Sequence, residues 1–174
     1  MRRTLRLVLS LVAIAGAPAV AHGQQGTHAR PLGDRVAGSV REYPQLTIFD
    51  DVNVDVDTGA VTLSGCVTTS LKREELGARV ARIDGVARLV NNLHVLPSSR
   101  ADADLRVRVA QAIYGHPAFW PYASMARPPI HIIVAGGVGT LTGAVSTDVA
   151  RSLACALAQV PGASAVRNQL RVER

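Results

Sequence analysis

The segment Thr62-Leu63-Ser64-Gly65-Cys66-Val67 returns further along the chain as Thr140-Leu141-Thr142-Gly143-Ala144-Val145. Around it the likeness extends in both directions. Downstream, Gly85, Asn91, Leu93 and Val95 return as Gly162, Asn168, Leu170 and Val172 with the same spacing, and upstream Val36-Ala37, Val40 and Pro44 return as Val109-Ala110, Ile113 and Pro117. Self-similarity of this extent means one supersecondary unit used twice. The copies span residues 32–97 and 101–174, and the short polar link Ser98-Ser99-Arg100 joins them. A unit of roughly 60–70 residues buries enough surface to fold only marginally, so each small core needs support from outside itself.

Both copies read in the same order of elements. Val36 and Val40, or Leu105, Val109 and Ile113, mark one buried helical stripe, closed by Pro44 or Pro117. Val52, Val54 and Val56 then alternate with Asn53 and Asp55, as Ile130, Ile132 and Val134 alternate with His131 and Ile133; this is the period of a strand with one face inward. Asp57-Thr58-Gly59 and Ala135-Gly136-Gly137 supply hairpin turns into a second strand. A second helix follows, striped by Leu76, Val80 and Ile83 or by Val149, Leu153, Leu157 and Val160. Gly85 and Gly162 stand where a helix C-cap favours positive φ, and Asn-x-Leu-x-Val ends each copy as a last strand. The unit is therefore αββαβ, an α+β fold in which two helices cover one face of a small mixed three-stranded sheet.

Gly-x-Val after the hairpin, Gly before the last strand, and Asn-x-Leu-x-Val resemble the BON domain, named for bacterial osmotically induced and nodulation proteins. The motif residues are Gly65, Val67, Gly85, Asn91 and Leu93 in the first copy, and Gly143, Val145, Gly162, Asn168 and Leu170 in the second. The second copy also resembles a subtype with an Ile-His-Ile-Ile-Val strand, here Ile130 to Val134. The resemblance implies the αββαβ fold, residence in the cell envelope, and binding to phospholipid membranes or other envelope components, without a known catalytic centre.

The chain has 174 residues, with 48% hydrophobic, 18% charged and 3% aromatic residues and two Cys, a globular mix that excludes collagen-like, low-complexity and disulfide-stapled classes. Its N-terminus is an address. Arg2, Arg3 and Arg6 precede an apolar run from Leu7 to Ala15 and the small-x-small triplet Ala19-Val20-Ala21, the charged, apolar and cleavage regions of a secretory signal peptide. Residues 1–21 are expected to be removed, leaving 22–31 as a flexible start to the mature chain. The apolar run is too short for a transmembrane helix, no later segment replaces it, and no Cys follows it for lipidation. A periplasmic or secreted protein is expected.

Cleavage removes three of the 19 basic residues and takes the net charge from +6 to +3. Residues 32–97 carry seven Arg/Lys against nine Asp/Glu, whereas 98–174 carry eight Arg against four Asp/Glu. The second half is thus basic, with its arginines scattered rather than clustered. That argues against a nucleic-acid partner and for an anionic phospholipid surface or an envelope protein. Nothing in the sequence sets the oligomeric state.

Differences between the copies locate the candidate contact residues. Between Pro117 and its first strand the second copy inserts five residues within Trp120-Pro121-Tyr122-Ala123-Ser124-Met125-Ala126-Arg127-Pro128-Pro129. Trp120 is the sole Trp, and Trp and Tyr suit a water–lipid boundary because ring and polar tip face different solvents. Equally, the loop can cap its own core or join the units. Ile133 stands where the first copy has polar Asp55, so that face is expected to be covered by the first unit or by a second subunit. Trp120, Tyr122, Arg127 and Ile133 are the candidate membrane or partner contacts. The second helix of copy two is poor in charge, which suits either a contact surface or the helix-forming tendency of Ala.

No catalytic, cofactor or metal site emerges. The five His lack the i, i+4 or His-Glu-x-x-His spacing of a zinc site, Gly136-Gly137-Val138-Gly139 lacks the Lys-Ser/Thr of a phosphate loop, and no Gly-x-Ser-x-Gly elbow occurs. Asp50-Asp51 and Glu74-Glu75 read as solvated faces and helix starts. Export permits a disulfide between Cys66 and Cys155; the alternative is two separate half-buried thiols.

Overall fold

The computed structural model describes residues 31–173. The expected signal peptide, residues 1–21, lies outside the described residues, as do 22–30 and Arg174.

The two αββαβ units form as the repeat predicts. The first comprises α1 (Leu32–Arg41), β1 (Asp51–Asp57), β2 (Ala60–Val67), α2 (Ser70–Ala81) and β3 (Arg88–Val95). The second comprises α3 (Arg100–Tyr114), a 3-10 turn (Pro117–Phe119), the one-turn α4 (Trp120–Ala123), β4 (Ile130–Ala135), β5 (Val138–Val145), α5 (Asp148–Leu157), β6 (Ala165–Asn168) and β7 (Arg171–Val172). In each sheet the middle strand pairs antiparallel with the first and parallel with the last. The last strand of the second unit is interrupted at Gln169 and Leu170, so β6 and β7 pair separately with β5. Arg100 already belongs to α3, and Ser99 caps it by accepting from Asp102 N, because an extended Ser oxygen satisfies an otherwise orphaned helix N–H.

Glycines set the hairpins and their crossings. The turns place Thr58 and Gly59, or Gly136 and Gly137, at positive φ, the pair of left-handed residues that a two-residue turn needs to match strand twist. Gly65 and Gly143 have φ of +112° and +102°, and a Cβ there would fall on the carbonyl oxygen of Asp51 or Pro129. This close crossing is why Gly-x-Val requires its Gly. Gly85 and Gly162 are also left-handed, but they are not helix C-caps: Arg82 and Ala158 hold that position in right-handed conformation. The glycines lie in the turn beyond, where Arg35 of α1 and Arg108 of α3 lie against them.

Two cores result. Val36, Val40, Val61, Leu63, Val67, Leu76, Val80 and Leu93 fill the first; Leu105, Val109, Ile113, Phe119, Ile132, Leu141 and Leu170 are among those filling the second. The second core gains support from the first unit, whose Ile48 and Phe49 pack against it. The Ile48 carbonyl accepts from Ile132 N at 2.7 Å, so this segment lies along the outer edge of β4. Tyr114 hydroxyl occupies Ile130 N and O on that edge, and Arg106 donates to Val134 O. An edge so occupied cannot template another strand.

Gly143→Ala or Gly65→Ala is expected to cost about 2–4 kcal/mol, from the left-handed backbone and the blocked carbonyl together. Gly33→Ala, in α1 with open space around it, is the control and should leave stability unchanged or slightly raised. Denaturant unfolding of the three variants checks this.

Candidate functional site

The same end of each unit, where the middle strand stops and the second helix starts, carries the features that distinguish the copies. In the first unit this end is organised by Asp50, which is 1% exposed. Its Oδ1 accepts from Thr68 N and Oγ1, and its Oδ2 from Thr47 N, Thr47 Oγ1 and Lys72 Nζ, the last at 2.7 Å. Burial by itself pushes this carboxyl up, but Lys72 and the Thr donors more than offset it and hold the group below the ordinary carboxylate range. The Asp50-Asp51 pair is therefore not a solvated face: Asp50 is the buried anchor of the loop that sends Ile48 and Phe49 to the second unit. Beside it, Tyr43 donates to Glu75, and burial, with the hydrogen bond and charge of Glu75 and the charge of Asp50, pushes its hydroxyl up to about 12.

Pro128 stands where the first copy has Asp50, and Ala150 where it has Lys72, so the second unit does the same work differently. Ser146, the counterpart of Thr68, donates its N–H to Tyr122 Oη at 3.0 Å, and the two hydroxyls lie 2.9 Å apart. Tyr122 is half-buried, with its ring 6.0 Å from that of core residue Phe119. Tyr122 thus joins the inserted loop to the start of α5.

Trp120 is left outside. It is 59% exposed, and its indole N–H donates to Gly115 O at 3.2 Å; the neighbouring Phe119, fully buried, is the residue that caps the core. Met125 is 47% exposed, and Val149, in the first turn of α5, 76%. Leu71, the counterpart of Val149 in the first unit, is likewise exposed. Arg127 is exposed on the same loop. The inserted loop thus leaves Trp120, Met125 and Arg127 exposed while Tyr122 turns inward to Ser146.

The structure brings Trp120, Tyr122 and Arg127 onto one loop but separates Ile133 from them. Ile133 lies on the face of β4 away from the core stripe of Ile130, Ile132 and Val134, and it is nevertheless buried at 9% exposure. It is covered within the single chain and is no surface contact. On the equivalent face of the first sheet, Asn53, Asp55, Ser64, Asn92 and His94 are all exposed. Asn91 and Asn168 are exposed yet structural: each donates Nδ2 to a second-helix carbonyl, of Arg73 or Arg151, and accepts from the N–H of Leu93 or Leu170. Cys66 and Cys155 are both free and half-buried, so the staple is not formed; burial and the Asp51 charge push the Cys66 thiol up.

The sequence reading puts Asp50 on a solvated face and passes over Lys72 and Asp102, all three of which are buried. Asp102 has capping-box spacing from Ser99, but its buried carboxylate reaches instead to the N–H groups of Gly136 and Gly137 at 2.9 and 2.8 Å and clamps the hairpin turn. The Thr47-x-x-Asp50 spacing is the corresponding local signal for Asp50, since such pairs close turns through side-chain oxygens. Among the described residues no group of three His, Cys, Asp or Glu is placed to hold a metal, and no helix is long and apolar enough to cross a membrane.

The BON domain pattern matches residues 32–97 and 101–174. No curated protein sequence matches the chain. Among solved structures, two of CdsD, a structural protein of the type III secretion system of Chlamydia trachomatis, overlap with it. One is 16% identical over 79% of this chain and 90% of that one, with a TM-score of 0.29; the other, a C-terminal domain, is 16% identical over 84% and 99%, with a TM-score of 0.30. Overlap at those scores carries no inference about this chain.

Two outcomes follow from the paired anchors. Lys72→Met leaves the Asp50 carboxylate buried without its cation and should cost about 3–5 kcal/mol, whereas Tyr122→Phe, which removes one hydroxyl at a wetter site, should cost about 1 kcal/mol. Because Asp50 is held below its unfolded value of about 3.9, its contribution is complete above that pH and is lost as pH falls through the depressed folded value. Thermal melts from pH 7 to pH 2 should show the Lys72→Met penalty shrinking only at the acid end.

Proposed function

Because the chain belongs to the BON domain family, in two tandem copies, we propose that it is a non-enzymatic, exported cell-envelope protein that binds anionic phospholipid surfaces through the Trp120 loop of its second unit. The observation that carries this reading is the exposure of Trp120, and of Met125 on the same loop, while neighbouring Phe119 and Tyr122 turn inward. An indole in this setting keeps its N–H bonded and its ring wet, at a cost that insertion at a lipid headgroup boundary removes. Arg127 and the excess of arginine over carboxylate in residues 98–174 supply attraction to an anionic surface, worth about 1 kcal/mol for each cation near it. Export rests on the charged, apolar and small-x-small order of residues 1–21.

The sole Trp makes the test direct. Mature protein mixed with vesicles containing phosphatidylglycerol should show a blue-shifted Trp120 emission and co-sediment, with binding that weakens as salt rises and is absent on phosphatidylcholine. Trp120→Ala should weaken sedimentation about tenfold, while Tyr122→Phe should leave it unchanged. Failure to sediment at low salt would refute the lipid reading and favour the other envelope role, a protein-interaction or stress-protective module.

A further inference from the structure

Of the four sheet edges, only that of β4 is occupied. Strands β1, β3 and β6–β7 are the outer strands of their sheets, and among the described residues their backbone ladders run inward only, to β2 or β5. The exceptions are the N–H groups of Leu93 and Leu170, each taken by the Asn side chain two residues before it. Open edges of this kind are templates for a further strand, and the side chains they carry decide which strand is admitted.

Two of these edges carry matching patterns. On β1 the core takes Val52, Val54 and Val56, so Asp51, Asn53 and Asp55 point to the other face. On the last strand of the second unit Arg167 lies beside Thr140 and Arg171 beside Ala144, on the face away from core residues Leu141 and Val145. Exposed Gln169 stands between the two arginines. Carboxylate, amide, carboxylate at two-residue steps thus faces arginine, amide, arginine at the same steps, each row about 13 Å long. Asp55, Arg167 and Arg171 are exposed and Asp51 is half-buried; none is in an ion pair among the described residues, where the pairs are Lys72–Asp50 and Arg151–Asp148.

The charges select among the possible pairings. Unlike charges directly opposed across strands stabilise, and like charges destabilise. Joining β1 to a second β1 opposes Asp to Asp, and joining β6–β7 to its own copy opposes Arg to Arg. The third open edge, β3, presents Arg88, Val90, Asn92 and His94 on that face, so it lacks a second guanidinium for the two carboxylates. We infer that the protein assembles with copies of itself head to tail, the β1 edge of one chain pairing with the β6–β7 edge of the next. In the antiparallel direction, the more stable one, Asp55 meets Arg167, Asn53 meets Gln169 and Asp51 meets Arg171. Because the joined patches differ, each contact leaves a free edge at both ends and the assembly extends. The excess of carboxylate in residues 32–97 and of arginine in 98–174 steers the approach. No residue of the Trp120 loop takes part, so the inference stands apart from the membrane reading.

The experiment is sedimentation velocity of the full mature chain over a concentration series at low and high salt, without vesicles. Wild type should grow beyond a dimer as concentration rises, and high salt should weaken the association. Asp55→Arg and Arg167→Asp, each at an exposed position and keeping the wild-type Tm, should each weaken it about tenfold. Arg88→Asp changes the net charge as Arg167→Asp does and should associate as wild type. Each of the first two variants keeps one edge intact, so their equimolar mixture should recover a dimer that neither forms alone, which a contact between identical patches would not do. A wild type that stays monomeric at low salt, association unchanged in either variant, an equal loss in Arg88→Asp, or a mixture that stays monomeric overturns the inference.

Discussion

The backbone N–H that follows the middle strand of each unit must be satisfied, and the way it is satisfied shapes everything around it. In the first unit Asp50 performs the task, drawing in Thr47, Thr68 and Lys72 around one buried carboxylate. A charge at 1% exposure is tolerable only because every acceptor position is filled. The turn that Asp50 closes directs Ile48 and Phe49 out of their own unit and against the core of the next. In the second unit a neutral phenol does the work, and it needs a longer loop to reach Ser146. The insertion that looks like an added binding loop is thus first a structural replacement, and its reach leaves Trp120 outside.

Coupling between the units follows from the same loop. Small cores of this size gain disproportionately from a few extra buried apolar side chains, since so little of their surface is otherwise removed from water. Ile48 supplies such a side chain and also a carbonyl to the free edge of β4, where Tyr114 meets Ile130 N and O and Arg106 meets Val134 O. The consequence is asymmetry within a repeat. The outer sheet face of the first unit is open and polar, whereas His131 Nδ1, Thr142 Oγ1 and Ile133 on the second are buried. The seam leaves one cleft lined by residues of both copies.

The architecture was legible because its signals are local and doubled. Alternation in β1 and β4, the left-handed turns at Thr58-Gly59 and Gly136-Gly137, and the glycine of Gly-x-Val each depend on neighbours within one hairpin, and each appears twice. The helix-cap role expected for Gly85 and Gly162 was displaced by a few residues, because positive φ is a property of the turn as a whole and composition does not say where within it the helix stops. At the site, the exposed Trp120 and Arg127 were visible as additions in one copy. The inward turn of Tyr122 was not visible, because its partner Ser146 lies beyond two intervening strands.

By itself the sequence determined two αββαβ units, their order, their turns and the family to which they belong, since periodicity and glycine placement are constraints that a chain meets within a dozen residues. Only the tertiary structure decided that Asp50 is buried, that Ile133 is covered without a second subunit, that Cys66 and Cys155 are each free, and that Tyr122 turns inward to Ser146. Each of these depends on the burial of one polar or apolar group by residues remote in sequence. The free energy of such burial is fixed by what surrounds the group, not by its neighbours along the chain.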